Sequence, residues 1–204
     1  MKVILHKNDI PAEFLKKTVS VAVDTETMGL NPYRDRLCLV QLSKGDGVCH
    51  LVQMESFNKS KNLKDLLENN KILKIFHYAR FDMMMLYKYL GVMTKNIYCT
   101  KIASKLARTY TDRHNLKGLC EDLLKVEITK AQTCTDWGAQ NLTKEQKEYA
   151  ATDVLHLHDL KRELDVILVR EQRQNIAQKC FDFLEIRVIF DLMCGEMYDI
   201  FSHG

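Results

Sequence analysis

Two prolines and eight glycines among 204 residues leave little room for disorder or long linkers, and neither a repeat nor a low-complexity tract interrupts the chain. No apolar run reaches the roughly 18–20 residues of a membrane span. The N-terminal stretch MKVILHKNDIPAEF has too short an apolar run for a secretory signal. The seven cysteines are odd in number and include no C-x-x-C pair, which argues for reduced thiols in a core rather than a disulfide framework. Cys49-His50 alone cannot supply a zinc site. The expectation is a cytoplasmic protein with no membrane partner. Strong charge of either sign is also missing: the formal net charge of +3 permits an anionic partner without requiring one.

What is present suits a soluble globular chain, with 46% hydrophobic and 28% charged residues. The length fits one compact domain, 1–204, with a core over about 18–165 and a helical extension over about 166–204. Segments 18–24, 36–43 and 47–54 read as strands rich in branched residues, the last two joined by a Gly-Asp-Gly hairpin signal. Leucines at helical spacing predict a helix over 62–70, capped by Asn62. A strand over 71–77, a helix over 79–91 ending at Gly91 and a short strand over 96–100 follow. Helices fill most of the rest, the longest starting at a Thr143/Gln146 capping box and running from 142 to 168. This order predicts an α/β fold, a mixed five-stranded sheet flanked by helices, with the first of these strands central.

The stretch VAVDTETMGL (21–30) drives two carboxylates into the end of a strand. Residues i and i+2 share a face, so Asp24 and Glu26 project side by side. Paired carboxylates repel and are costly to desolvate unless a cation lies between them. Hard divalent cations prefer such oxygen ligands. Alone, D-x-E also fits a strand ending at a turn with both acids in solvent. Two further positions weigh against that. Asp82 falls in the first turn of a helix that follows a strand. Tyr149 and Asp153, four apart, share one helix face. Each has an ordinary structural explanation, but their joint occurrence points to a site.

DTETMGL, HYARFD and YAATDVLHLHDL resemble the three exonuclease motifs of the DEDD superfamily, and the spacing of Tyr149 resembles its DEDDy branch, to which ribonuclease D belongs. The resemblance covers about residues 20–165 and includes a Trp137 segment before the third motif, although Gln140-Asn141 replaces the Arg-Pro often seen there. CTKIASKLARTYTDRHNLKGLCEDLL and the tail from Phe181 are similar to the nanoRNase C branch, compact bacterial exoribonucleases that degrade very short RNAs and assemble as octamers.

This resemblance implies a ribonuclease H-like fold and a 3′→5′ exoribonuclease with two divalent metal ions, Mg²⁺ or Mn²⁺, acting on short single-stranded RNA and releasing 5′-mononucleotides. It implies that Asp24 bridges both ions, that Glu26 and Asp153 hold the ion carrying the attacking water, and that Asp82 holds the other largely through waters. Tyr149, with an ordinary pKa near 10, is cast as a positioner of that water. Thr25, Met28 and Gly29 would line the substrate, with Leu30 wedged against terminal bases and Gly29 permitting close backbone approach. His77 and Arg80 lie near Asp82 and would touch phosphate or ribose. His77 reads equally well as a satisfied core histidine. The basic stretch 101–117 reads as a phosphate-binding or a solvated face, and Phe181, Phe183, Phe190 and Phe201 as core or subunit interface, within an expected homo-oligomer. Two alternatives stay open: an enzyme trimming longer structured RNA or DNA ends, and an inactive nucleic-acid-binding module on the same fold.

Overall fold

The computed structural model of the chain describes residues 1–128 and 135–195. Six strands, β1 (Lys2–Lys7), β2 (Ser20–Thr27), β3 (Leu37–Ser43), β4 (Val48–Gln53), β5 (Leu73–Phe76) and β6 (Ile97–Cys99), form one mixed sheet in the order β1-β4-β3-β2-β5-β6. The helices are α1 (Lys61–Glu68), α2 (Ala79–Leu90), α3 (Thr100–Ala107), α4 (Leu116–Leu119), α5 (Lys144–Leu155), α6 (Leu157–Arg170) and α7 (Gln174–Cys194). The expected ribonuclease H-like sheet with flanking helices and a helical C-terminal segment is therefore present.

The sheet has one strand more than the sequence suggested. β1 is a half-exposed edge strand running parallel to β4, paired from Lys2↔Val48 to Lys7↔Gln53. Beyond it, the Asp9 carboxylate accepts the backbone N–H groups of Asn62 (2.9 Å) and Leu63 (2.8 Å). A residue more than fifty positions away thus caps α1, not Asn62, whose side chain instead donates to the Ile10 carbonyl.

β2 is central, as expected. It pairs antiparallel with β3 across Ala22↔Ser43 to Thr27↔Leu37 and parallel with β5 only from Ser20↔Leu73 to Ala22↔Ile75. Past Ala22, β5 turns away into α2, so a crevice opens beside Asp24 and Glu26, at the C-terminal end of the strand where sites in such sheets gather. The β3–β4 hairpin turns on Gly45 and Gly47, both at positive φ (78° and 76°). The long helix expected over 142–168 is two helices that part at His156. α5 lies across β2, β3 and β4, whereas α6 packs on α3 and β5. α7, with 21 residues, is longer than either. The capping box of α5 is formed: the Thr143 hydroxyl accepts from the Gln146 N–H, and the Gln146 side chain accepts from the Thr143 N–H.

Candidate active site

Alternation along β2 buries Val21, Val23, Thr25 and Thr27 and leaves Asp24 and Glu26 half-buried on one face. α5 crosses that region and carries Tyr149 and Asp153 one turn apart. Oxygens of Asp24, Glu26 and Asp153 lie within 4.8 Å of one another. Asp82, 4% exposed in the first turn of α2, completes the group. Thr25 lies between these elements and donates its hydroxyl to Asp82 Oδ1 at 2.7 Å, which fixes that carboxylate. Gln41 Nε2, across the ladder on β3, donates to Asp24 Oδ2 at 3.3 Å.

The electrostatics of the group are unfavourable as it stands. Burial, then repulsion from Asp82, Asp153 and Glu26, holds Asp24 well above the usual carboxylate range. Burial, with Asp153 and Asp82 adding, pushes Glu26 up to about 8. Burial also raises Asp82 to about 7 against the opposing hydrogen bond from Thr25. Among the described residues, no cationic side chain figures in the shifts of these three acids. A set of hard oxygen donors repelling one another fits a divalent cation such as Mg²⁺.

A pH dependence follows. The unfolded chain loses these protons near pH 4, whereas the folded chain holds some up to about pH 8. The native state therefore binds more protons across this window, and the cluster's contribution to stability falls as pH rises through it. A bound cation competes with those protons. The rise in melting temperature on adding Mg²⁺ should therefore be larger near pH 8 than near about pH 5.5, and roughly 5–10 °C at a hundredfold excess over Kd. Differential scanning fluorimetry with Mg²⁺ or EDTA checks this. An equal shift at both pH values would exclude the linkage.

The carboxylates open onto a cleft of about 350 Å³. Leu30, 81% exposed, lines it together with Phe81, His77 and Tyr149. The Tyr149 ring sits 6.0 Å from that of Trp137, which is buried. Burial and the nearby acids raise the Tyr149 phenol above its ordinary value, so it stays protonated at neutral pH. His77 Nδ1 lies 2.9 Å from Thr100 Oγ1, and that hydroxyl donates its proton to the Phe76 carbonyl at 3.1 Å. His77 must then donate from Nδ1, which leaves Nε2 an acceptor. Burial, with Lys101 adding, pushes His77 down to about 4, so the ring is neutral.

The other expected substrate residues divide. Met28 is half exposed next to Gly138, where an added Cβ would meet its sulfur at 2.6 Å. A Cβ at Gly29 would overlap Asp35 Oδ2, so the close approach there is to the protein's own loop. Arg80 forms a two-pronged ion pair with Asp191 of α7, at 2.6 and 2.7 Å. The basic stretch divides too: Arg108 and Arg113 pair with Asp122, whereas Lys101 and Lys117 line the cleft. Tyr78, which sequence reasoning passed over, also lines it, with left-handed backbone (φ 69°) and Lys101 Nζ 4.2 Å from its ring centroid. Only a bulky residue at positive φ marks it, and a sequence does not print φ. Phe181 is core, its ring tilted 45° to that of Tyr98 with centroids 4.8 Å apart, and Phe201 lies outside the described residues.

Residues 6–168 match the family model described as 3′-5′ exonuclease. Over its whole length the chain superposes on the whole of Brucella melitensis NrnC with a TM-score of 0.96 and 49% identity. That protein has also been solved bound to pGG and with bound Mg²⁺. The chain is 33% identical over 156 residues to ribonuclease D of Nitrobacter hamburgensis, aligning 75% of this chain with 40% of that protein. It spans about two-fifths of the length of the curated ribonuclease D relatives it matches.

Proposed function

This chain belongs to the 3′-5′ exonuclease family, and from that membership we propose that it is a metal-dependent 3′→5′ exoribonuclease hydrolysing short oligoribonucleotides, dinucleotides upward, to 5′-mononucleotides. The observation that carries the proposal is the convergence of Asp24, Glu26 and Asp153 oxygens within 4.8 Å, with Asp82 adjoining, at the floor of a cleft. A volume of about 350 Å³ is at the small end of ligand pockets, ~300–1,000 Å³, and suits a short substrate.

In this reading Asp24, Glu26, Asp82 and Asp153 hold two divalent ions, Mg²⁺ or Mn²⁺. When bound, such ions polarise a phosphodiester and supply a water activated at neutral pH. The remaining work falls to the chain's own groups. Thr25 fixes Asp82 through its hydroxyl. Tyr149, protonated and rested against Trp137, donates a hydrogen bond that orients the attacking water. His77 Nε2, an acceptor, suits a ribose hydroxyl and not a phosphate oxygen. Lys101 and Lys117 offset phosphate charge. Leu30, exposed at the cleft, packs against a terminal base.

A homo-oligomer, an octamer by resemblance, is part of the same proposal. Ile186, Ile189 and Met193 are exposed at spacings of three and four along α7, an apolar stripe of the kind that marks an interface. No helix among the described residues is long and apolar enough to cross a membrane. A cytoplasmic setting is part of the proposal, resting on the cysteine usage.

The test is a ladder of 5′-labelled RNAs from two nucleotides upward, digested with Mg²⁺. Stepwise loss from the 3′ end, with the dinucleotide cut faster than a folded transfer RNA, is expected. Equal rates on the two would indicate a trimming enzyme, and an unchanged ladder a binding module. Light scattering on the same sample should give a mass several times that of the chain.

A further inference from the structure

Leu30 is 81% exposed, so burial cannot hold it in place; its position at the cleft must come from the loop that carries it. That loop, residues 28–36, is tied to itself. Asn31 Oδ1 accepts the N–H of Tyr33 at 2.9 Å, and Asp35 Oδ2 accepts the N–H of Asn31 at 2.9 Å. The Asp35 N–H returns to the Asn31 carbonyl at 2.8 Å. A loop so closed on itself moves as a unit, and its placement is decided where it is fastened to the rest of the molecule.

At its foot, Arg36 donates to the carbonyls of Met54 at 3.2 Å and Gly138 at 3.4 Å; its tip is fastened to two helices. On α2, Lys88 Nζ donates to the Pro32 carbonyl and the Tyr89 hydroxyl to the Asp35 carbonyl at 3.1 Å. On α7, the Tyr33 hydroxyl lies 2.8 Å from the Asp191 carbonyl and 3.3 Å from that of Leu192. The Asp191 side chain is itself 0% exposed, and its two oxygens bind Arg80 on α2 and Arg187 on α7. A buried carboxylate held by two guanidinium groups is a stiff anchor point, since either arginine left without it is costly. Arg80 stands two residues before Asp82 on the same helix. The end of α7 therefore grips the helix that carries one wall's carboxylate and, through Tyr33, the loop that carries the opposite wall.

We propose that Tyr33 is a positioning residue for the substrate: its hydroxyl, seated on the α7 carbonyls beside the Asp191–Arg80 ion pair, sets where Leu30 meets a terminal base. The C-terminal helix is then a structural determinant of substrate binding although none of its residues lines the cleft. This rests on the exonuclease reading above.

Tyr33→Phe removes one hydroxyl from a ring that is 57% exposed and leaves the ion pair intact, so the fold should survive. Expected on a dinucleotide are a KM raised about three- to tenfold, the range of a lost hydrogen bond, a kcat within about twofold and a melting temperature lowered by at most a few degrees. A purely structural hydroxyl would lower the melting temperature and leave KM at the wild-type value. The coupling is read from a cycle with Leu30→Ala: if Tyr33 acts through Leu30, adding Tyr33→Phe to Leu30→Ala should raise KM no further. A wild-type KM in Tyr33→Phe, or the same fold-increase in both backgrounds, overturns the positioning role alone. A wild-type chain that leaves the dinucleotide intact overturns the exonuclease reading and this role with it.

Discussion

Asp24→Asn should leave no measurable turnover, a loss beyond about a thousandfold and so larger than the 10²–10³ typical of removing one electrostatic contact to a transition state. Asp24 stands in the middle of the carboxylate group, repelled by Asp82, Asp153 and Glu26. In the proposed metal site, removing its charge would weaken cation binding by the whole group. The same repulsion gives the variant a second signature: metal-free Asp24→Asn should melt no lower than the wild type, because a neutral amide is easier to desolvate than a carboxylate. Gln41 favours this outcome. Its Nε2 already donates to Asp24, and its buried Oε1 has no hydrogen-bond partner among the described residues. The new amide can both accept from the one and donate to the other. Added Mg²⁺ should then fail to raise the melting temperature, and excess EDTA, which should silence the wild type reversibly, should change nothing. Full wild-type turnover in EDTA would remove the metal from the proposed chemistry, and a collapsed fold in Asp24→Asn would make Asp24 a structural residue instead.

The local parts of this site are legible in the sequence because local geometry fixes them. A strand period of two puts Asp24 beside Glu26, and a helix period near four puts Tyr149 above Asp153. What escapes is every contact made by distant segments. Thr25 meets Asp82 across 57 positions, and Arg80 meets Asp191 across 111. Neither pair has a spacing to read, and Arg80, adjacent in sequence to the second motif, is for that reason assigned to the substrate from sequence but bound to α7 in the fold. β1 escapes because a half-exposed edge strand alternates weakly and its partner lies more than forty residues away. The parting of α5 and α6 at His156 escapes because no Gly or Pro marks it: the helix is interrupted where its packing partner changes from the centre of the sheet to α3. The Trp137 segment is recognisable only as a resemblance, and its physical role appears once its ring is seen against Tyr149.

That contact bears on the second large effect. Tyr149→Phe should lower kcat on a dinucleotide about a hundredfold, within the range for a positioned proton-handling group, while KM and the Mg²⁺-dependent rise in melting temperature persist. The phenyl ring keeps its place against Trp137, so the α5 face and the approach of Asp153 to Asp24 and Glu26 are undisturbed. Only the hydroxyl is lost. Burial and three neighbouring acids disfavour the phenolate, so in the proposed reaction that hydroxyl is a donor and not a base. The distinction is measurable. A positioner leaves the pH dependence of kcat where the carboxylates and the metal put it, so the profiles of Tyr149→Phe and wild type should run parallel, offset by the hundredfold loss. A base would have produced a limb in the wild-type profile that vanishes in the variant. Parallel profiles with retained metal stabilisation place Tyr149 at the attacking water. Wild-type rates in Tyr149→Phe would refute that placement, and a lost Mg²⁺ response would show that the ring's hydroxyl is needed to assemble the metal site itself.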